Sequence, residues 1–132
     1  MKLLKAWLPV IVWAAIILSA ANDRFSDQQT GGWLERLFGR MPPEVNVFVR
    51  KSAHMGEYAI LALLGWRARK TIATPLLICL AVACADETLQ AMTVTRTGSA
   101  VDVIWDMTGA VLAMMVARRV SPAAPAAPAR SS

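Results

Sequence analysis

The sequence predicts an all-α transmembrane helical bundle of about four spans, with both termini in the cytoplasm. Three observations carry this. Of the 132 residues, 56% are hydrophobic, and they gather in long runs nearly free of charge, so that mean hydropathy is +0.45. A bilayer span takes about 20 residues of helix, which leaves room for about four spans joined by short connections. Basic residues flank the apolar runs with a strong bias to one side, the pattern by which membrane topology is encoded.

The first apolar run, Ala6 to Ala21, follows Lys2 and Lys5. Its basic start and the small residues Ser19-Ala20-Ala21 resemble a secretory signal peptide. An uncleaved helix over residues 1–21 fits better, because three further spans follow and Trp7 and Trp13 suit an interfacial anchor. Residues 22–49 read as an extracytoplasmic segment. Within it, Trp33-Leu34-Glu35-Arg36-Leu37-Phe38 is short and amphipathic and is expected to lie along the membrane surface, ending at Met41-Pro42-Pro43.

Residues 50–119 form the core of the prediction, with three spans. The second span is expected from Arg50 to Trp66 and closes on the basic turn Arg67-Ala68-Arg69-Lys70. The third runs from Thr71 to Gln90. Met92 to Ser99 forms a loop, and the fourth span covers Ala100 to Ala117 before Arg118-Arg119. Residues 120–132 are rich in Pro and Ala without periodicity, and are expected to be disordered.

Lys2, Lys5, Arg67, Arg69, Lys70, Arg118, Arg119 and Arg130 would lie on one side, with none of the 9 acidic residues. The other side and its helix ends hold every Asp and Glu. The positive-inside rule then places both termini in the cytoplasm of a multi-pass protein, as in the bacterial inner membrane. The net charge of +5 does not signal nucleic-acid binding, because the basic residues flank apolar runs and form no stripe interleaved with aromatics. Cys79 and Cys84 lie on one helix, separated by about 7.5 Å of rise, too far for an intrahelical disulfide. They read as packing residues.

Topology determines which ends meet. The second span starts on the outer side, the third ends there and the fourth starts there, and the unusual polar residues sit at those three ends. They are Arg50, Lys51, His54, Glu57 and Tyr58; Asp86, Glu87 and Gln90; and Asp102 and Asp106, with Arg96 in the connecting loop. Arg50, His54 and then Glu57 or Tyr58 share a helix face, as do Asp86 with Gln90 and Asp102 with Asp106. Gly109 and Ala113 continue the Asp102–Asp106 stripe with small residues that let another helix approach.

An ionisable residue at the centre of a span costs about 2.5–3.5 kcal/mol on insertion scales. The five carboxylates Glu57, Asp86, Glu87, Asp102 and Asp106 therefore require partners, water or a ligand. Against Arg50, Lys51 and Arg96 they leave two net negative charges with His54 neutral. Protonation of His54 and a carboxyl group, a divalent cation, or a cationic group on a ligand would each meet that deficit. The bland alternative is a structural network that only holds helices together. Trp105, the methionines at 107, 114 and 115, and the run from Ile60 to Leu64 read as lipid-facing or packing residues.

These residues resemble a known family. Arg50-Lys51-Ser52-Ala53-His54-Met55-Gly56-Glu57-Tyr58-Ala59-Ile60-Leu61 resembles the first signature of VanZ-like membrane proteins. Asp86-Glu87-Thr88-Leu89-Gln90, Arg96-Thr97-Gly98-Ser99, Asp102 and Asp106-Met107-Thr108-Gly109-Ala110 resemble the second, over residues 45–117 in all. Family members often carry Pro-Gly before the loop arginine, where this chain has Val94-Thr95. The family is named for a protein associated with resistance to the glycopeptide antibiotic teicoplanin. The resemblance implies membership and a cell-envelope context; it does not imply a reaction or transfer resistance to this chain.

Three functions are compatible with this reading, each with the bilayer as a partner. One is a binder that masks or rearranges a lipid-linked or cell-wall component. A second is a membrane enzyme, a hydrolase or transferase acting on an anionic lipid head group. In it His54 is the general acid or base, and Asp86, Glu87 or Asp102 orients it or binds a metal. Arg50, Lys51 and Arg96 hold the anion, with Glu57, Tyr58, Gln90 and Asp106 completing the substrate site. The sequence has no serine or cysteine nucleophile motif, so a covalent mechanism is not expected. The third is an ion or proton pathway, disfavoured because the polar residues crowd one side.

Overall fold

The computed structural model describes residues 2–20, 36–37, 39, 42–92 and 99–120. Four long helices account for nearly all of them, and no strand occurs among the described residues. They are α1 (Lys2–Ala20), α2 (Pro43–Arg69), α3 (Ala73–Ala91) and α4 (Ala100–Val120). The expected surface helix over 33–38 falls mostly outside the described residues; of it, Arg36 and Leu37 are helical. Arg96 and the 120–132 tail also fall outside them, apart from Val120.

Each helix has a local cause. α1 is a run of Leu, Val, Ile, Trp and Ala behind Lys2 and Lys5. α2 starts seven residues before the expected Arg50 and spans 27 residues. Pro43 stands in its first turn, where the proline ring presets φ and the missing N–H costs nothing, and Glu44 complements the positive end of the helix dipole. α2 ends at Lys70, which adopts a left-handed conformation (φ 55°) and donates its backbone N–H to the Trp66 carbonyl at 2.7 Å. That reversal, with Arg67 and Arg69 in the last turn, lets α3 return beside α2.

Three of the helices are long and apolar enough to cross a membrane: α1 from Leu3, α3 and α4. α2 is not one of them, although it was expected to be a span. The reason is composition, since its first half carries Glu44, Arg50, Lys51, His54 and Glu57.

α2 and α4 run parallel, in contact along most of their length: Lys51 meets Asp102, and His54 meets Asp106 one turn further on. A Cβ built on Gly109 would fall on the Met55 carbonyl, so these two backbones are in contact. Any side chain there would force them apart. α3 runs antiparallel to both. Gly65 near the end of α2 lies against Pro75 near the start of α3, where an added Cβ would come within 2.9 Å of the proline. Further up, Cys79 Sγ donates to the Tyr58 carbonyl at 3.7 Å. α1 is tied to α2 by Trp13, whose indole N–H donates to the Glu57 carbonyl at 2.9 Å.

The buried core is made of Val10, Ile17, Tyr58, Leu61, Ala62, Cys79, Ala83, Ala110, Ala113, Met114 and Ala117. Most of these are small, which is what close helix approach requires where apolar surface has no preference for the interior over the surrounding lipid. The outside is apolar: Leu8, Ile11, Leu77, Ile104, Leu112 and Val116 are all exposed, while Asp86, Glu87, Gln90 and Asp106 are buried. This polar-in, apolar-out arrangement suits a hydrocarbon solvent.

Candidate functional site

Because α2 and α4 begin at the end where α3 finishes, three polar helix ends converge. Val47, Arg50, Lys51, His54, Glu87, Gln90, Asp102, Trp105 and Asp106 line a cavity of about 80 Å³ there. A single water needs about 10–15 Å³ of such space, so the cavity holds several waters or a small charged group.

The contacts inside it fall into two tiers. Nearer the helix ends, Lys51 Nζ bonds Asp102 Oδ1 at 2.8 Å, and both side chains keep about a third of their surface accessible (34% and 39%). The same ammonium lies 5.4 Å from the centroid of the Trp105 ring, within cation–π range. Also at this end, the backbone N–H of Ser99, just before α4, donates to Glu87 Oε2 at 2.6 Å. That bond satisfies an amide near the helix start and ties α3 to the first residues of α4.

Deeper in the bundle, His54 Nδ1 lies 3.7 Å from Asp106 Oδ1 and 4.0 Å from Glu57 Oε2. Asp106 is 1% exposed, and its Oδ2 has no hydrogen-bond partner among the described residues. Asp86, also 1% exposed, accepts a 3.1 Å hydrogen bond from the Gln90 amide one turn along α3. One donor atom from each of His54, Asp86 and Asp106 lies within 4.8 Å of the other two. Tyr58 is fully buried beneath this layer, within Coulombic reach of Asp86 and Asp106, and its hydroxyl is unpartnered among the described residues. It does not line the cavity.

Most of the residues singled out in the sequence thus assemble at one level. Arg50, Lys51, His54, Glu87, Gln90, Asp102 and Asp106 line the cavity; Asp86 and Glu57 sit at its edge through His54, Gln90 and their neighbours. Arg96 lies outside the described residues. Trp105, read as lipid-facing or packing, is 40% exposed and in addition lines the cavity under Lys51. The signal was present: 102, 105 and 106 stand at i, i+3 and i+4 and share a helix face. Val47 was missed for the same reason, lying four and seven residues before Lys51 and His54.

Chemically, the arrangement offers two cations and an aromatic plane near the helix ends, and an imidazole facing buried carboxylates below them. No curated protein and no solved structure gives a significant match to the chain. The family model described as VanZ/LLP1 matches residues 6–121, which takes in nearly all of the four helices as well as both sequence signatures. With three helices fit to cross a membrane and a family match over most of its length, the chain belongs to the VanZ/LLP1 family.

Proposed function

We propose that the chain is a four-span protein of the bacterial cytoplasmic membrane, with α2 as the additional span and both termini inside. In this reading it binds a lipid-linked or cell-wall component at the extracytoplasmic face. Supporting this orientation, Arg67, Arg69, Lys70, Arg118 and Arg119 gather at the end opposite the cavity. α2 can cross because its charged residues face partners: Lys51 meets Asp102, and His54 meets Asp106. Polar groups inside a bundle are tolerated when turned to one another or to a water-filled cavity.

The observation that carries the binding role is the cavity itself. It joins Arg50 and Lys51 to the Trp105 ring at one end of a bundle with an apolar outside. Such a site suits a polar head carrying an anionic group, phosphate or carboxylate, on a hydrophobic tail that remains among the exposed apolar side chains. Lys51 and Arg50 supply charge, and Trp105 an amphipathic plane suited to the membrane–water boundary.

The test is to purify the full chain in mild detergent and identify the lipids that remain bound by mass spectrometry. Wild-type protein should retain an anionic or polyprenyl-linked species that Lys51→Met and Arg50→Gln proteins lose. Identical lipid profiles for the three proteins would refute the binding site. An enzyme acting on the same head group is the second reading. It is favoured by the 3.7 Å approach of His54 to Asp106, which is close to the reach a general base and its orienting carboxylate need. Turnover of the retained lipid by wild-type protein but not by His54→Ala would select it. Below the cavity the buried residues Leu61, Ala62, Ala110, Ala113 and Met114 are apolar, which disfavours an ion pathway.

A further inference from the structure

We infer that His54, Asp86 and Asp106 form a binding site for a divalent transition-metal ion of the Zn²⁺ or Mn²⁺ type. The site would lie beneath the cations that hold the head group.

The argument starts from charge. At this end of the bundle, the described residues include five carboxylates, Glu57, Asp86, Glu87, Asp102 and Asp106, against Arg50 and Lys51. Lys51 is committed to Asp102 at 2.8 Å. With His54 neutral, these five carboxylates outnumber the two cations by three among the described residues, and Asp86, Glu87 and Asp106 are buried. An anionic head group alone would add to that excess, which protonation or a bound cation would have to offset. A divalent cation removes most of it and supplies a positive floor for the ligand.

Geometry narrows the location. The three donor atoms come from three different helices and lie within 4.8 Å of one another, and His54 Nδ1 is already 3.7 Å from Asp106 Oδ1. Ligands on one such ion stand about 3–3.5 Å apart, given metal–ligand bonds of about 2.0–2.2 Å. Rotations that move each side chain by about 1 Å close the set. The independent sign of a ligand is Asp106. It is almost wholly buried, faces the cavity and leaves Oδ2 without a hydrogen-bond partner among the described residues. A buried carboxylate oxygen with no donor is costly, and an ion would supply its missing partner.

The donor set selects the class of ion. An imidazole beside two carboxylates favours a transition metal over Mg²⁺ or Ca²⁺, which are held mainly by oxygen ligands, and the set lacks the thiolates of a structural zinc site. Three protein ligands leave coordination positions open toward the cavity, where water or an anionic group from the ligand would complete the shell. Gln90 donates to Asp86 and so orients a ligating carboxylate, a role that outer residues play at metal sites.

This inference deepens the binding reading above and rests on it for the identity of the outer ligand, but the ion site itself is separately testable. The full chain is purified in detergent, stripped with EDTA and titrated with Zn²⁺ or Mn²⁺ alone. Metal content per chain is measured after gel filtration, and thermal unfolding is followed with and without the ion. Wild-type protein should retain close to one ion per chain and unfold at a higher temperature with it. Asp106→Asn and His54→Gln should bind more than about tenfold more weakly, while Glu44→Gln, at the exposed start of α2, should bind as wild type.

Without metal, Asp106→Asn should unfold at or above the wild-type temperature, because it removes an uncompensated charge. With metal the order should reverse, an inversion that a merely structural role for Asp106 would not produce. Absence of saturable binding to wild-type protein, or undiminished binding to both variants, would overturn the site. Metal binding without any retained lipid would leave the ion site standing and defeat the head-group reading; retained lipid without metal binding would do the opposite.

Discussion

The two ends of the α2–α3–α4 bundle use different means to hold three helices together. At the apolar end the backbones approach over small residues and the side chains interlock without a polar atom: Gly65 against Pro75, then Leu61, Ala62, Ala113, Met114 and Ala117. At the charged end the same helices are joined by directional contacts: Lys51 to Asp102, Ser99 N–H to Glu87, and His54 facing Asp106. In a lipid-like solvent, apolar burial gives little preference for the interior, so the apolar end depends on shape. The charged end depends on each polar atom finding a partner. Among the described residues, Asp106 Oδ2 and the Tyr58 hydroxyl do not, and a buried polar atom left without a partner is costly. The difference teaches that the apolar end is held by close packing of small residues and the charged end by directional contacts between polar groups.

The comparison can be broken most severely where the two regimes meet. Gly109 sits one turn below Asp106 with the Met55 carbonyl where its Cβ would be. Gly109→Val should therefore separate α2 from α4 and cost about 3 kcal/mol or more. The loss would appear as a large drop in thermal unfolding temperature together with loss of ligand binding. If Gly109→Val unfolds like wild type, the two helices are not in backbone contact.

A smaller effect is expected at the charged end. Glu87→Ala leaves the Ser99 N–H without its acceptor and should cost about 1–3 kcal/mol. Glu87→Gln should recover part of that, because the amide oxygen still accepts. Equal stability of the two variants would show that the bond is not formed.

Trp13→Phe tests how far α1 is part of the bundle. It keeps a six-membered aromatic ring but removes the pyrrole part of the indole, and with it the N–H that donates to the Glu57 carbonyl, so the expected loss is about 1–2 kcal/mol. A much larger loss would mean that α1 depends on this one contact.

The smallest effect should come from Lys51 and Asp102. Both keep about a third of their side-chain surface accessible, so screening limits their pairing. A double-mutant cycle with Lys51→Met and Asp102→Asn should give a coupling of about 0.5 kcal/mol in stability. The same Lys51→Met change should nevertheless abolish lipid retention. That separation, stability nearly intact and binding lost, is the sharpest form of the contrast between the ends.

Much of the site was legible in the sequence because few residue types can sit in a bilayer span without a reason. His54, Asp86, Asp102 and Asp106 stand out against their apolar neighbours, and helical spacing together with alternating span direction brings them to one level. The place of Trp105 on the cavity wall was less legible, because a tryptophan beside a span suits the interface and the interior equally well. Only its register with Asp102 and Asp106 separates the two. The start of α2 was likewise hard to delimit: the span was expected from Arg50, whereas the helix already begins at Pro43.

By itself the sequence determined the helices, the family signatures and which ends carry charge, because hydropathy runs, helical periodicity and charge placement are local properties of the chain. Only the tertiary structure decided which atoms meet: that Asp106 is buried with an oxygen unpartnered among the described residues, that His54 faces it, and that Gly109 lies on the Met55 carbonyl. Those facts depend on the rotation of each helix about its axis. Rotation is set by packing among residues far apart in the chain, and spacing along a single helix does not encode it.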